Sequence, residues 1–404
     1  MTTEVIIKNK SGMVLAADSA VTLTGIGAYG QRPKVYNSAN KLFTLSKTEP
    51  VGVLFYNSAT VNGVPIELII KEFRERYGGY KTLKRYQQHM IKFIEKFVCS
   101  YGKQILLSDF FSSFLMYVSN CIVNSKNIDS LIDEKIKELQ DKQKEYAYCI
   151  KFSGISVEDI KQDFETNLFY TREFSKFKEV TNYPKDINSL LNLYYEYIIN
   201  FMNQTYTGIA ICGYGKNDFF PKVYQFKIYG VLNKHLLTGD FCAHEKQDAE
   251  IIPLAQKQMI ETFISGVSSK LYNTLRSFYE QNFDALIKAI VPSLKIEASP
   301  SEITSRLKNK FIESRNYFEQ IVLSTEVTPL IRTLEYLSRE EMAELAENLI
   351  NIQVLKYKVT PELETVGGPI DVAIISKHDG FVWKKRKLYF PKDLNFQFFE
   401  NYFK

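Results

Sequence analysis

Residues 2–18 read TTEVIIKNKSGMVLAAD, and this stretch decides the fold. Residues 4–9 and 13–17 are short runs rich in aliphatic and β-branched side chains, and Ser11-Gly12 separates them. Two such runs around a glycine-containing turn are typical of an antiparallel hairpin, so the pattern predicts one with Gly12 at its turn. The chain therefore opens with sheet structure.

Strand and helix patterns then alternate along the chain. After a loop over 24–40, alternating and β-branched runs predict further strands at 41–46, 51–56, 207–213, 222–230, 234–242, 370–376 and 381–389. Apolar residues at 3.6-residue spacing predict helices at 64–77, at 81–101 and repeatedly between 251 and 356. A capping box at Ser338 to Glu341 opens the last of these helices.

This order of elements predicts an α+β fold in four layers, helix, sheet, sheet and helix. Two stretches with helical patterns do not belong to these four layers: residues at about 104–204 and at about 276–335. Because no linker rich in Gly, Pro or Ser separates the first stretch from its neighbours, we expect helical insertions within one domain over 1–404.

The composition excludes several classes of function. The chain of 404 residues has 51 Lys and Arg against 46 Asp and Glu, and these charges are interspersed, which predicts a mixed solvated surface and no nucleic acid partner. Its five cysteines form no CxxC pair and its four histidines are scattered, so we expect neither a disulfide framework nor a metal site. No signal peptide pattern and no apolar run of membrane length occur, which predicts a cytoplasmic protein without membrane contact.

Thr2 follows the initiator methionine directly. A small second residue permits removal of Met1, and the mature chain would then begin with a threonine that carries both a hydroxyl and a free amine. An N-terminal amine has an ordinary pKa near 8, so it can accept the hydroxyl proton at neutral pH. Threonine paired with its own amine is a known activated nucleophile.

Two charged residues strengthen the interpretation of Thr2 as a nucleophile. Asp18 follows the second predicted strand, and Lys41 opens the third. A lysine ammonium near a nucleophile lowers the pKa of its hydroxyl and amine, and a carboxylate can hold that lysine in place. The sequence therefore predicts a catalytic group of Thr2, Asp18 and Lys41.

The segments TTEVIIKNKSGMVLAAD, NKLFTL, VGVLFYNSA and GGPIDVAIISKHDGFV together resemble the proteasome β-subunits, which are N-terminal nucleophile (Ntn) hydrolases, and the bacterial proteasome-like threonine peptidases. The resemblance implies an αββα Ntn sandwich with Thr2 as nucleophile. It also implies that the backbone N–H of Asn57 completes an oxyanion hole, and that a peptide substrate lies along Ala20, Val21 and Thr22.

The chain departs from that family at several positions. Cys242-Ala243-His244-Glu245 replaces a small serine-containing loop, and Leu363 and Val366 stand where the family has Asp and Ser. Those Asp and Ser support the nucleophile's amine, so their loss puts activity in question unless Glu364 or Thr365 substitutes.

The leading hypothesis is thus a threonine-type endopeptidase without metal or organic cofactor. Its expected partners are a peptide or unfolded protein substrate, further copies of the chain in a homo-oligomer, and an unfoldase or regulatory protein. Two alternatives stay open: a non-catalytic scaffold or partner-binding subunit, and an amidase acting on small non-peptide amides.

Overall fold

A computed structural model describes residues 2–23, 34–123, 128–145, 156–290, 300–361, 366–397 and 400. Its strands are β1 Thr3–Asn9, β2 Gly12–Ala17, β3 Val21–Leu23, β4 Lys34–Tyr36, β5 Leu42–Thr44, β6 Val51–Asn57, β7 Thr60–Val61, β8 Val64–Pro65, β9 Thr207–Gly213, β10 Lys222–Leu232, β11 His235–His244, β12 Glu250–Ala255, β13 Asp371–Ser376 and β14 Gly380–Lys385. Its helices are α1 Ile66–Arg76, α2 Leu83–Tyr101, α3 Ser108–Val123, α4 Ile128–Glu145, α5 Val157–Thr166, α6 Leu168–Thr181, α7 Leu191–Asn203, α8 Gln258–Ser265, α9 Ser269–Ile290, α10 Pro300–Val322, α11 Thr328–Leu334 and α12 Arg339–Val359.

The protein is α+β with antiparallel sheets, as the sequence predicts. It forms two compact units, which we call the first unit (Met1–Asn40 and Gln247–Lys404) and the second unit (Lys41–Lys246). The four-layer arrangement and the single domain over 1–404 stay predictions.

The first unit is built on a five-stranded sheet in the order β12, β1, β2, β13 and β14. The predicted hairpin of β1 and β2 is confirmed, because Glu4 pairs with Ala17 and Asn9 with Gly12. The Asn9 Oδ1 accepts the Ser11 N–H at 2.9 Å and shapes the turn. A side chain at Gly12 would bring its Cβ within 2.8 Å of a backbone oxygen of β13, so only glycine fits this turn.

Helix α12 packs on this sheet. The Ser338 hydroxyl accepts the Glu341 N–H, and the Glu341 carboxylate accepts the Ser338 N–H, which confirms the predicted capping box. A buried apolar cluster joins the helix to strands β1 and β2, with these members among others: Val5, Ile7, Val14, Ala16, Met342, Ala346, Leu349 and Ile350. Each fully buried Leu or Ile side chain contributes roughly 1.5–3 kcal/mol, so this contact fixes the sheet that carries the start of the chain.

The prediction that a helix begins at Ile251 is wrong. Residues Glu250–Ala255 form strand β12, which pairs antiparallel with β1 in register from Thr3–Ala255 to Lys8–Glu250. Pro253 lies within it, and proline is tolerated there because β12 is an edge strand of the sheet. The helix begins only at Gln258.

The second unit has its own five-stranded sheet in the order β11, β10, β9, β6 and β5. Helices α1 and α2 share one apolar cluster with this sheet. Helices α3 and α5–α7 and part of α4 form a further cluster, which includes Tyr229, Leu232 and Leu237 of the sheet. Where it is described, the stretch predicted as a helical insertion at 104–204 is thus mainly helical, and it packs on β10 and β11.

Two other predictions concern loops and insertions. The predicted loop over 24–40 contains strand β4, which pairs with β3, while residues 24–33 lie outside the described residues. Residues 276–335 are helical where described, with α9, α10, a π-helical segment Leu323–Val327 and α11.

Among the described helices, none has both the length and the apolar character that crossing a membrane requires.

Candidate active site around Thr2

The start of β1 is held by the residue that follows β12. The Gln256 N–H donates to the Thr2 carbonyl at 2.9 Å. In return, the Thr3 hydroxyl donates to the Gln256 carbonyl at 3.1 Å. These two bonds extend the β1–β12 pairing to the second residue of the chain, so the backbone of Thr2 is fixed although it lies next to the terminus.

A strained residue sets up this contact. Ala255 closes β12 with a φ of 56°, a left-handed conformation that is uncommon for residues with a side chain. Such a conformation costs of order 1–3 kcal/mol and persists only where the surrounding structure imposes it. Here it turns the chain so that Gln256 meets both Thr2 and Thr3.

Asp18 is fully buried directly after β2. Its Oδ1 accepts the Thr3 N–H at 3.0 Å, and its Oδ2 accepts the N–H groups of Gly367 at 2.9 Å and Ala20 at 3.2 Å. The Asp18 N–H donates to the Thr3 carbonyl at 3.2 Å. A single carboxylate therefore joins the start of β1, the residues after β2 and the segment before β13. Charge-assisted bonds of this kind are roughly twice as strong as neutral ones.

The Thr2 side chain is buried, with 4% of its surface exposed. Its hydroxyl oxygen has no hydrogen-bond partner among the described residues. Leaving a buried hydroxyl unsatisfied costs roughly 1–3 kcal/mol, and each such group in a folded protein calls for an explanation. A hydroxyl kept for chemistry on an added substrate is one such explanation.

The segment before β13 approaches the same place. Gly368 has a φ of 76°, and a Cβ there would lie 2.9 Å from the Asn37 Cβ, so glycine is required for two reasons. The Ser19 N–H donates to the Gly367 carbonyl at 3.0 Å, and the Ser19 hydroxyl donates to the Pro369 carbonyl. Val366 is buried and offers no hydroxyl, while residues 362–365, with Glu364 and Thr365, lie outside the described residues.

The structure places the two remaining predicted site residues in the second unit. Lys41 is 1% exposed, and its carbonyl accepts the Phe55 N–H at 3.1 Å. Asn57 ends β6 with a φ of 71°, and its Nδ2 donates to the Tyr206 carbonyl at 2.9 Å. Asparagine tolerates this left-handed conformation better than most residues. Their predicted roles beside Thr2 stay predictions.

The predicted substrate strand has one edge occupied. Ala20 is buried, and β3 pairs antiparallel with β4 through Val21–Tyr36 and Thr22–Val35. Whether a peptide adds to the other edge of β3 stays a prediction.

Sequence reasoning missed Ala255 and Gln256, because the sequence pattern assigned them to a helix. In the described part of the chain, no three side chains of His, Cys, Asp or Glu are grouped so as to hold a metal ion.

No family model matches the sequence, and no curated protein matches it. Similar solved structures include an Anbu Gly-1 mutant from Hyphomicrobium sp. strain MC1, at 11% identity and a TM-score of 0.29, over 99% of this chain and 92% of that one. The Anbu complex from Pseudomonas aeruginosa, described as a helical assembly, has 9% identity and a TM-score of 0.32 over 99% and 93%. Anbu (ancestral beta-subunit) from Yersinia bercovieri has 9% identity and a TM-score of 0.31 over 99% and 94%.

The predicted family is wrong. These similar structures are Anbu proteins, which are proteasome-like but distinct, and TM-scores near 0.3 do not show the proteasome β-subunit fold. The physical reason lies in the residues that suggested the family: Val14, Leu15 and Ala16 are fully buried in the first unit. Packing alone requires a pattern of this kind in a central strand, so the pattern does not identify a family.

Proposed function

We propose that the chain, once Met1 is removed, is an N-terminal threonine peptidase that hydrolyses peptide bonds through an acyl-enzyme on Thr2. The observation that carries this proposal is the buried Thr2 hydroxyl without a hydrogen-bond partner among the described residues. It sits on a backbone that Gln256 holds directly and that Asp18 holds through Thr3. A nucleophile needs such fixed positioning, because small displacements cost large factors in rate.

Each step of the proposed reaction uses the hydroxyl or the amine of Thr2. The Thr2 hydroxyl oxygen attacks the substrate carbonyl carbon, and its proton passes to the Thr2 amine. The ammonium then protonates the leaving amine, and the peptide C–N bond breaks to give an ester on Thr2. A water molecule attacks that ester and releases the acid, which restores the hydroxyl and the amine.

Asp18 is a positioning residue in this scheme. Its bond to the Thr3 N–H fixes the peptide unit that follows Thr2, and its bond to the Gly367 N–H fixes the neighbouring segment. We further propose that Lys41 supplies the positive charge that tunes the nucleophile, as its place in the sequence predicts, and that the Asn57 N–H stabilises the oxyanion, the role that the sequence resemblance implies.

A non-catalytic scaffold subunit is the second candidate. Two observations favour it: the Thr2 side chain is only 4% exposed, and the buried Val366 offers no hydroxyl near the glycine segment. A homo-oligomer is expected under either function. The remaining alternative, an amidase for small non-peptide amides, uses the same nucleophile.

Intact mass and turnover test the proposal together. We expect the native protein to lack Met1 and to hydrolyse fluorogenic peptides, and Thr2→Ala to lower the rate by about a thousandfold or more. Thr2→Ser keeps a hydroxyl and should keep activity. Thr3→Ser is the matched control, because it retains the hydroxyl that donates to Gln256.

The outcomes separate the candidates. Turnover of small amides without peptide hydrolysis supports the amidase, and a Met-processed, folded protein without any turnover supports the scaffold. Retention of Met1 on the native protein rules out the mechanism, because no free Thr2 amine then exists.

A further inference from the structure

A thiol and an imidazole lie side by side on the second unit, at a position for which the proposed function has no use. The Cys242 Sγ is 3.4 Å from the His244 Nε2. Both residues belong to β11, two positions apart, so their side chains project from the same face of the strand. Strand β11 is an edge strand of its sheet, and Cys242 is exposed.

A third side chain contacts the imidazole. Gln225 of β10 lies opposite Cys242 in the strand register, and its Nε2 is 3.1 Å from the His244 Nε2. An amide group can donate to a neutral imidazole nitrogen through its NH2, or accept from a protonated one through its oxygen after rotation by a half turn. Gln225 is therefore able to stabilise His244 in either protonation state.

Two of the other described cysteines, Cys212 and Cys99, have different surroundings. Burial raises the pKa of the Cys212 thiol, which is fully enclosed within β9. Burial and the nearby Glu95 carboxylate raise the pKa of the Cys99 thiol, whose Sγ faces the Lys234 carbonyl at 3.4 Å. Both environments suppress the thiolate, which is the nucleophilic form of cysteine.

We propose that Cys242 is a modification site at which the protein undergoes reversible thiol–disulfide exchange with low-molecular-weight disulfides, with His244 as the base. The Cys242 proton moves to the His244 Nε2, and the thiolate attacks one sulfur of the disulfide. A new S–S bond forms at Cys242 while the old S–S bond breaks, and the departing thiolate takes the proton from His244. The added disulfide is the oxidant, so the step balances without another reactant.

The proposed site uses none of the groups around Thr2. A mixed disulfide at Cys242 places a bulky polar group on the edge strand, next to Phe241, which is 57% exposed and stacks on Phe226 with the ring centroids 6.2 Å apart.

Oxidised glutathione added to the full, reduced chain at pH 7 is the direct test, with the rate at each cysteine followed by peptide mapping. We expect Cys242 to react at least about tenfold faster than Cys99, a modest share of what a positioned base supplies. His244→Asn should remove that advantage, whereas His378→Asn, at an exposed histidine of the first unit, should leave it unchanged. Cys99 and Cys212 in the same samples report whether each variant is folded.

Two results would overturn the proposal. One is a Cys242 rate equal to that of Cys99 in the unaltered protein, which decides the matter even where a variant does not fold. The other is a folded His244→Asn variant whose Cys242 rate is undiminished.

Discussion

Replacing Asp18 by asparagine probes the most highly connected side chain of the candidate site. The Asp18 carboxylate accepts three backbone N–H groups with both oxygens, at 3.0, 2.9 and 3.2 Å, and it is fully buried. An asparagine has one oxygen and no charge. With that oxygen toward Gly367 and Ala20, two bonds survive as neutral bonds and the Thr3 N–H faces an NH2 group.

The magnitude follows from these three bonds. One buried N–H left unsatisfied costs about 1–3 kcal/mol, and each surviving bond loses about 1 kcal/mol when its charge is removed, so Asp18→Asn should destabilise the first unit by about 3–5 kcal/mol. Such a loss is a large share of the 5–15 kcal/mol by which folded proteins are typically stable. Asp18→Ala leaves all three N–H groups unsatisfied and should be worse.

Urea denaturation followed by tryptophan fluorescence measures this loss. The chain has one tryptophan, Trp383, which lies in β14 of the first unit and therefore reports on the sheet that Asp18 supports. Glu344→Gln removes a carboxylate from the exposed face of α12 and should change stability by less than about 0.5 kcal/mol. An Asp18→Asn variant as stable as this control would refute the reasoning.

Three further predictions concern one buried carboxylate and two residues with a left-handed backbone. Although burial raises the pKa of the Asp218 carboxyl, the Lys222 ammonium and two backbone N–H groups outweigh it and hold that pKa below its ordinary value. The Asp218 carboxylate therefore contributes stability that is fully present above its unfolded pKa near 4 and is lost as the pH falls through the lower folded pKa. Asp218→Asn should lower the free energy of unfolding by about 1.5–3 kcal/mol at pH 7 and by clearly less at pH 2, as measured by urea titrations at both pH values. Ala255→Gly should stabilise by about 0.5 kcal/mol in thermal unfolding, because relief of the left-handed strain slightly exceeds the entropy that glycine loses. Gly368→Ala should destabilise by at least about 2 kcal/mol, because its φ of 76° and the Asn37 Cβ 2.9 Å away both oppose a side chain, and an unchanged melting temperature would contradict this.

Local signals in the sequence predicted the elements whose shape depends on neighbouring residues. The β1–β2 hairpin follows from the Asn9–Ser11 hydrogen bond and from the glycine at position 12. The start of α12 follows from the reciprocal bonds of Ser338 and Glu341. Each of these features is decided within a few residues, so a single sequence contains the necessary information.

Strand β12 shows where local signals fail. Ile252, Ala255 and Met259 have helical spacing, but the backbone of residues 250–255 pairs with β1, far away in the sequence. Pairing with a distant strand overrides local propensity, and no periodicity within the segment reveals it. The bonds of Gln256 to Thr2 and Thr3 were missed for the same reason.

The candidate site was predictable only in part. The position of Asp18 after the second strand indicated a carboxylate beside the start of β1, but neither its complete burial nor its bond to Gly367, which is 349 residues away along the chain. The left-handed conformation of Asn57 was likewise invisible, because asparagine adopts extended conformations as well.

The most direct test of a Thr2 nucleophile is a peptidyl epoxyketone, which bonds both the hydroxyl and the amine of an N-terminal threonine. The measurement is peptide mapping of the native, Met-processed protein after this treatment. We expect an adduct on Thr2 that is absent from Thr2→Ala. A Met-processed, folded sample that carries no adduct on Thr2 would contradict this expectation.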